Sequence, residues 1–423
     1  MNPALFFAAQ AFWNTKRRAR TLRTRAGVLR WRQRRLAVFL RHDLRRGPFY
    51  AACKAERLDD LPIVDKAILM ANFERFNTVG VTLTEARAAL DAGGERVRGY
   101  IVGQSTGTSG NRGVYVISER ERFVWLGVLL AKTLPDFPFV GHKIALALPG
   151  YSQLYASAAQ TGRLSIRFFD LALGVESWRD ALSAYAPDTI VAPPKVLRAL
   201  AKATGLRPAN VFSGAEVLDP LDRQIIEAGF GARVREIYMA TEGLFGVACP
   251  LGVLHLAEDV VAFEWERVEG APDLVTPLIT DFTRSTQIMA RYRMNDLLKL
   301  DAEPCACGSP LQAIASVEGR QDDLFRLRGA TGLVFVTPDV MRNAVVDSDR
   351  RILDFRIVQT AADRVELCLA ADLPADAGNA AVSSLHSALV KLGAADVSVD
   401  LRIGITPSMD RKLRRVRRDW RPD

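Results

Sequence analysis

What the 423-residue sequence lacks narrows its class first. Five cysteines, unevenly spaced in a chain of this size, do not make a disulfide framework and fit a reducing compartment. No apolar run approaches the roughly 20 residues of a membrane span. The opening MNPALFFAAQAFW is apolar, but its charges follow it, whereas a secretory signal has them in front; a cytoplasmic location is expected. The body also lacks the basic surplus that the net charge of +9 suggests. Thirteen of the 57 Lys and Arg lie in residues 1–46 against the single Asp43, so this arm carries +12 and the rest of the chain −3. Basic residues gather in the two terminal segments with no aromatic-interleaved groove between them, so no nucleic-acid partner is expected. With 49% hydrophobic and 25% charged residues the composition is that of an ordinary folded protein. Its length implies one large domain plus a smaller one.

The chain is organised around residues 104–113, QSTGTSGNRG, which crowd three Gly and four Ser/Thr hydroxyls between expected strands at 97–102 and 114–117. Glycines let backbone approach a ligand closely, and successive amides with short hydroxyls make a concave anion site suited to phosphate. No Lys follows the second glycine and the chain continues into a strand, which argues against a P-loop ATPase. The arm before this loop repeats Leu22, Leu29, Leu36, Leu40 and Leu44 at helical spacing among arginines. It reads as an amphipathic helix packed on the body with its arginines solvated, as a contact with an anionic membrane through Phe6, Phe7, Phe12 and Trp13, or as a nucleic-acid contact.

After the loop the pattern is α/β. Short apolar runs at 143–148, 164–169, 189–191, 210–212 and 233–238 read as buried strands, separated by helices at 178–185, 195–203 and 220–228. Such alternation predicts a parallel sheet covered on both faces, with ligands at the carboxyl ends of the strands. Ser213-Gly214-Ala215-Glu216 and the string YMATEG, from Tyr238 to Gly243, fall at those ends. Thr241 beside Glu242 puts a hydroxyl and a carboxylate where a Mg2+ bridging phosphates would need them. An antiparallel portion is expected from 258 to 300, with strands at 260–265 and 287–293, ending in RYRMNDLL. VEGRQDDLFRLRG follows. A small α+β domain then reads as helix 338–345, strands 352–359 and 365–370, helix 377–392 and strand 397–403, closed by the basic tail DRKLRRVRRD.

In this order the strings resemble the adenylate-forming superfamily of acyl-CoA synthetases, luciferases and peptide-synthetase adenylation domains. The entry GPFYAACKAERLDDLPIVDKAIL is similar to that of its phenylacetate:CoA ligase-like branch. The resemblance implies a large N-terminal domain, residues 47–322, preceded by the arm 1–46 packed on the body and followed by a small mobile domain, 323–423. It implies ATP-dependent adenylation of a carboxylic acid, of aryl or related type, with release of pyrophosphate. Transfer to a thiol of coenzyme A or a carrier protein would follow. A non-catalytic nucleotide-binding member of the same fold, or an adenylyltransferase acting on a coenzyme, is the alternative. ATP and Mg2+ are the implied ligands.

By the same resemblance, Ser105, Thr106, Gly107, Thr108, Ser109, Gly110 and Arg112 hold the departing pyrophosphate, and Thr241 and Glu242 serve Mg2+. Gly214, Ala215, Glu216 and Tyr238 contact the nucleotide, with Tyr151, Ala215 and Tyr238 around the acid. Asp296 accepts from the ribose hydroxyls, Arg320 contacts the ribose and phosphate, and Asp322 is the hinge. Lys412, in RKLRRV where the branch has G-K-x-x-R-V, is the catalytic cation. Activation by ATP removes the need for a nucleophilic Ser, Cys or His, in keeping with only four histidines. Outside these motifs, Cys249 and His255 in CPLGVLH and Cys305 and Cys307 in CACG bracket the antiparallel portion. They make either a tetrahedral structural Zn2+ set, similar pairs occurring in some relatives, or two independent thiol pairs.

Overall fold

The structure, a computed structural model, describes residues 3–105, 112–148, 160–161, 163–404 and 414–421. The chain divides into two compact units. The first is Met1–Glu264, Pro277–Met294 and Asp301–Ala315; the second is Trp265–Thr276, Asn295–Leu300 and Ser316–Asp423.

In the first unit, five strands pair in parallel in the spatial order Leu164–Phe168, His142–Leu146, Thr189–Ala192, Asn210–Ser213, Val234–Ala240. Their apolar runs are too short for helices, and the three central strands are largely buried, as a sheet with both faces covered requires. Helices Val175–Tyr185, Pro194–Ala203 and Pro220–Phe230 make the crossovers. Two of them begin with Pro in the first turn, where the missing N–H costs nothing, and Asp219 caps the third by accepting from Leu221 N. Gly231, with φ +70, then ends that helix in the left-handed conformation glycine tolerates. Beyond Val234–Ala240 the sheet becomes antiparallel through Gly243–Ala248, Leu254–Leu256 and the start of Ala313–Arg320.

Two expectations need correction, and one helix was missed. The strand expected at 97–102 is broken by a turn at Arg98 and Gly99, φ +51 and +85, into Arg96–Val97 and Tyr100–Gln104. Of 287–293 only Tyr292–Arg293 is a strand, paired with Ile279 and Leu278. Helix Glu119–Thr133 was not anticipated, although its capping box is legible. Ser118 Oγ accepts from Glu121 N while the Glu121 carboxylate accepts from Ser118 N.

The arm forms helices Pro3–Thr21 and Arg25–Val38, burying Ala11, Phe12, Thr15 and Val28, with Phe39, Leu40 and Leu44 buried after them. The first helix packs on Glu119–Thr133 so closely that a Cβ at Gly127 would lie 2.1 Å from the Ala8 carbonyl oxygen. Several arginines are held rather than solvated. Arg18 pairs with Asp259 at 3.4 Å, Arg25 with Glu258, and Arg32 donates to the Phe263 carbonyl. Trp31 Nε1 donates to the Asp259 carbonyl at 3.2 Å, and Lys132 reaches the same carboxylate at 2.6 Å.

The second unit holds a hairpin, Phe325–Gly329 with Gly332–Val336, that the sequence reading did not separate. Beside it is a sheet in the order Ser398–Ile403, Arg364–Leu369, Phe355–Ala361, Val416–Arg418. Phe355, Ile357, Leu367, Met341 and Leu385 are among its core, under helices Pro338–Val346 and Ala375–Lys391. The expected basic tail is therefore partly sheet: Val416–Arg418 runs parallel to Phe355–Ala361.

Asp259 is fully buried, and burial alone would raise its pKa; Lys132 and Arg18 outweigh that and hold it below the usual carboxylate value. A lowered folded pKa gives stability that is present above the unfolded value, about 3.9, and lost as pH falls through the folded one. Asp259→Asn should cost roughly 3–5 kcal/mol by leaving the two cations without their anion. It should also flatten the loss of urea resistance below about pH 4. Urea titrations at several pH values check this, and an acid slope equal to that of the parent chain contradicts it.

Candidate active site

The base of the Ser/Thr/Gly loop closes as a hairpin. Strands Tyr100–Gln104 and Val114–Ile117 pair, Ser105 N donates to the Gly113 carbonyl at 2.8 Å, and Gly113 N donates to Ser105 Oγ at 2.9 Å. Thr106, Gly107, Thr108, Ser109 and Gly110 lie outside the described residues, as do Tyr151 and Lys412. Arg112 is exposed beside the loop.

Thr241 and Glu242 are the two turn residues between Val234–Ala240 and Gly243–Ala248, since Gly243 pairs with Ala240. A two-residue turn fixes both side chains at the strand end. Thr241 Oγ1 donates to Glu242 Oε2 at 2.9 Å, Tyr292 OH donates to Oε1 at 3.2 Å, and Arg284 donates to the Thr241 carbonyl. Burial, and then the neighbouring Glu242 charge, push the Tyr292 hydroxyl well above its ordinary pKa, so it remains a donor. Gly113 at the loop base, Tyr115, Lys66, Glu242, Arg284 and Tyr292 line one narrow cleft. The loop base and the Thr-Glu turn thus meet in the first unit.

Arg284 is set by a buried carboxylate 163 positions earlier in the chain. Glu121 accepts from Ser118 N and Oγ, from Ser285 N and Thr286 N at 2.6 and 2.8 Å, and from Thr286 Oγ1. Burial works to raise its pKa, but these hydrogen bonds hold it below the usual value. Arg284 and Tyr115 carried no motif signal, and Glu121 only its place in the Ser118 capping box; Tyr292 stands inside RYRMNDLL, and Lys66 inside the entry string.

At the neighbouring strand end Gly214 N donates to the Ala192 carbonyl at 3.2 Å, and Ala215 takes φ +69, an uncommon left-handed conformation for a residue with a Cβ. Glu216 forms a buried pair with Lys195 at 3.1 Å. Tyr238 packs its ring on Phe245, centroids 5.3 Å apart.

Within the second unit, Asp296 opens strand Asp296–Leu300 and Arg320 is exposed at the end of Ala313–Arg320. Asn295 Nδ2 donates to Asp322 Oδ2 at 2.6 Å, and Arg418 donates to the Asp322 carbonyl. Arg414 pairs with the buried Asp323, so it is not a solvated tail residue.

Cys249, His255, Cys305 and Cys307 present ligand atoms all within 4.8 Å of one another. Cys307 Sγ is 3.3 Å from His255 Nε2, and Cys249 Sγ is 4.0 Å from Cys305 Sγ. His255 Nδ1 meets the Leu311 carbonyl at 3.0 Å, which leaves Nε2 for the cluster. Backbone N–H groups of Cys307 and Ser309 point at the sulfurs of Cys305 and Cys307.

No family model matches the chain. Protein CapK of Staphylococcus aureus is 25% identical over 202 residues, 43% of this chain and 44% of CapK, so the match spans less than half of either. Among solved structures, 2-hydroxyisobutyryl-CoA ligase in the postadenylation state with R3-HIB-AMP superposes with TM-score 0.66 at 19% identity, over 93% of this chain and 89% of that one. ATP-bound MatB from Rhodopseudomonas palustris gives 0.52 at 15%, over 71% and 63%. The chain has the fold of the adenylate-forming acyl-CoA ligases.

Loss of the Glu121 hub should be felt as stability. Glu121→Gln replaces one acceptor oxygen by an amide donor facing backbone N–H groups, at a cost of about 2–3 kcal/mol. Urea unfolding checks this, with Glu119→Gln as the half-exposed neighbour for comparison.

Proposed function

We propose that this protein is an adenylate-forming acid–thiol ligase, which joins a carboxylic acid to the α-phosphate of ATP and then passes the acyl group to a thiol. The observation that carries this reading is the single cleft shared by the base of the Ser/Thr/Gly loop and the Thr241-Glu242 turn. A carboxylate attacking a polyanion meets like charge throughout. One unit pair at 4 Å costs about 1 kcal/mol in water and about 4 kcal/mol at an effective dielectric near 20. The residues of this chain answer that cost by cancelling charge and fixing the line of attack. Ser105, Thr106, Thr108, Ser109 and Arg112, with the amides of Gly107 and Gly110, take the pyrophosphate. Glu242, whose carboxylate accepts from Thr241 and Tyr292 among the described residues, keeps lone pairs for Mg2+. When bound, Mg2+ neutralises phosphate charge.

Asp296 is assigned to the ribose hydroxyls, Arg320 to the ribose and phosphate, Asp322 to the hinge, and Lys412 to the oxygens around the α-phosphorus. Gly214, Ala215 and Tyr238 serve the nucleotide, with Ala215, Tyr238 and Tyr151 facing an acid of aryl or related type. Glu216 acts through its pair with Lys195, holding the Ala215 turn in place. Coenzyme A or a carrier-protein thiol accepts the acyl group.

Exchange of labelled pyrophosphate into ATP, screened over a carboxylic acid library, tests the reading. Glu242→Gln should reduce exchange by about two orders of magnitude or more, with the fold kept. Lys412→Ala should reduce it roughly a hundredfold while thioester formation from supplied acyl-adenylate persists. Unimpaired exchange in either variant removes that residue from its role, and absence of exchange with every acid argues against catalysis.

The Cys249, His255, Cys305 and Cys307 set fits structural Zn2+ in donor number, in the orienting bond on His255 Nδ1 and in the N–H groups aimed at sulfur. Metal analysis of chelator-washed protein should find about one equivalent of zinc, and Cys307→Ser should lower both zinc content and melting temperature. Zinc below about a tenth of an equivalent with stability unchanged would leave two thiol pairs instead.

A further inference from the structure

We propose that the outer face of the first arm helix, together with the loop after helix Glu119–Thr133, docks on an anionic membrane surface. The inner face of Pro3–Thr21 is already used: Ala11, Phe12 and Thr15 are buried, and Arg18 turns to Asp259. On the opposite face Phe6 and Trp13, seven positions and therefore two turns apart, are each 47% exposed. Arg17 and Arg20 continue the same line toward the C-terminal end of the helix, both exposed. Beside Trp13 the loop adds Phe139 and Val140, exposed by 69% and 50%, with the Phe139 ring 6.4 Å from the indole. Packing and ion pairing thus turn some arm residues inward and leave four large apolar side chains and a set of cations outside.

Two different signals on one surface are what reversible membrane attachment requires. Apolar side chains inserted at the headgroup boundary or a few cations alone bind weakly, and together they bind an anionic leaflet. The attraction is local, because residues 1–46 carry +12 by formal count and keep a cationic surplus after Arg18 and Arg25 pair with Asp259 and Glu258, while the rest of the chain carries −3. The arrangement suits a bilayer better than a nucleic acid. The apolar group gathers toward one end of the helix instead of alternating with the arginines, and Val140 offers no face on which a base could stack.

Co-sedimentation of the full chain with vesicles tests this, using phosphatidylcholine alone and phosphatidylcholine with about a third phosphatidylglycerol. The bound fraction should be at least about tenfold higher on the anionic vesicles. It should fall when salt is raised from about 0.05 to about 0.5 M. Trp13→Ala with Phe139→Ala, and separately Arg17→Glu with Arg20→Glu, should each lower binding at least about fivefold, with melting temperature unchanged because all four side chains are exposed. Equal binding to neutral vesicles, no binding, or variants that bind like the parent chain overturn the proposal. An oligonucleotide bound through the arginines without help from Trp13 and Phe139, with no vesicle binding, makes the surface a nucleic-acid site and overturns it too. A dimer lost in the Trp13 and Phe139 variant, again with no vesicle binding, shows a second copy as the occupant and has the same effect.

Discussion

The site depends on one buried carboxylate. Glu121 gathers donors from its own helix start and from the Ser285-Thr286 segment, so two stretches far apart in sequence share one anion. Removing a carboxylate from water is costly unless its lone pairs are filled, and here each oxygen accepts more than one bond. The result is directional. With Ser285 and Thr286 fixed, Arg284 reaches the Thr241 carbonyl, and the Thr241-Glu242 turn has a cation behind it. Tyr292, donating to Glu242 from the short strand Tyr292–Arg293, restrains the other side of the same carboxylate. The turn that would face phosphate is therefore held by groups that need not touch phosphate.

The sequence showed the parallel sheet well because its strands are short, apolar and separated by helices of clear period. The residues at strand ends, Ser213 to Glu216 and Tyr238 to Gly243, were legible for the same reason. What it did not show are contacts that local pattern cannot encode. Nothing near Arg284 in sequence reveals that Glu121 anchors its neighbours, or that Glu216 is occupied by Lys195. Charge counting also misled. It left all the arginines of the packed arm solvated because the buried acids that answer two of them, Glu258 and Asp259, stand more than two hundred positions away. Likewise, DRKLRRVRRD read as a tail, since a three-residue strand such as Val416–Arg418 has too little period to announce itself.

The cysteine cluster and the arm meet through one pair of adjacent acids. Glu258 accepts from Arg25 of the arm and from Gln312 N, next to Leu311, whose carbonyl orients His255. Asp259, one residue on, takes Arg18 and Lys132. A two-residue stretch thereby ties the first and second arm helices to the segment carrying Cys305 and Cys307. Order in that segment and seating of the arm are coupled by direct hydrogen bonds.

For anyone shortening this chain, the arm presents a trap. Its composition invites removal at residue 46, as one would trim a disordered basic leader to improve yield. Such a cut would strip partners from Glu258 and Asp259, uncover the Gly127 face of helix Glu119–Thr133 and take the buried Phe39 and Leu44 out of the core, removing the ring that packs on Phe282. The shortened protein would carry a bare apolar groove beside buried acids that have lost partners, which is the surface of an aggregating species. The natural boundary of the first unit lies outside the arm, even though the charge plot places it after.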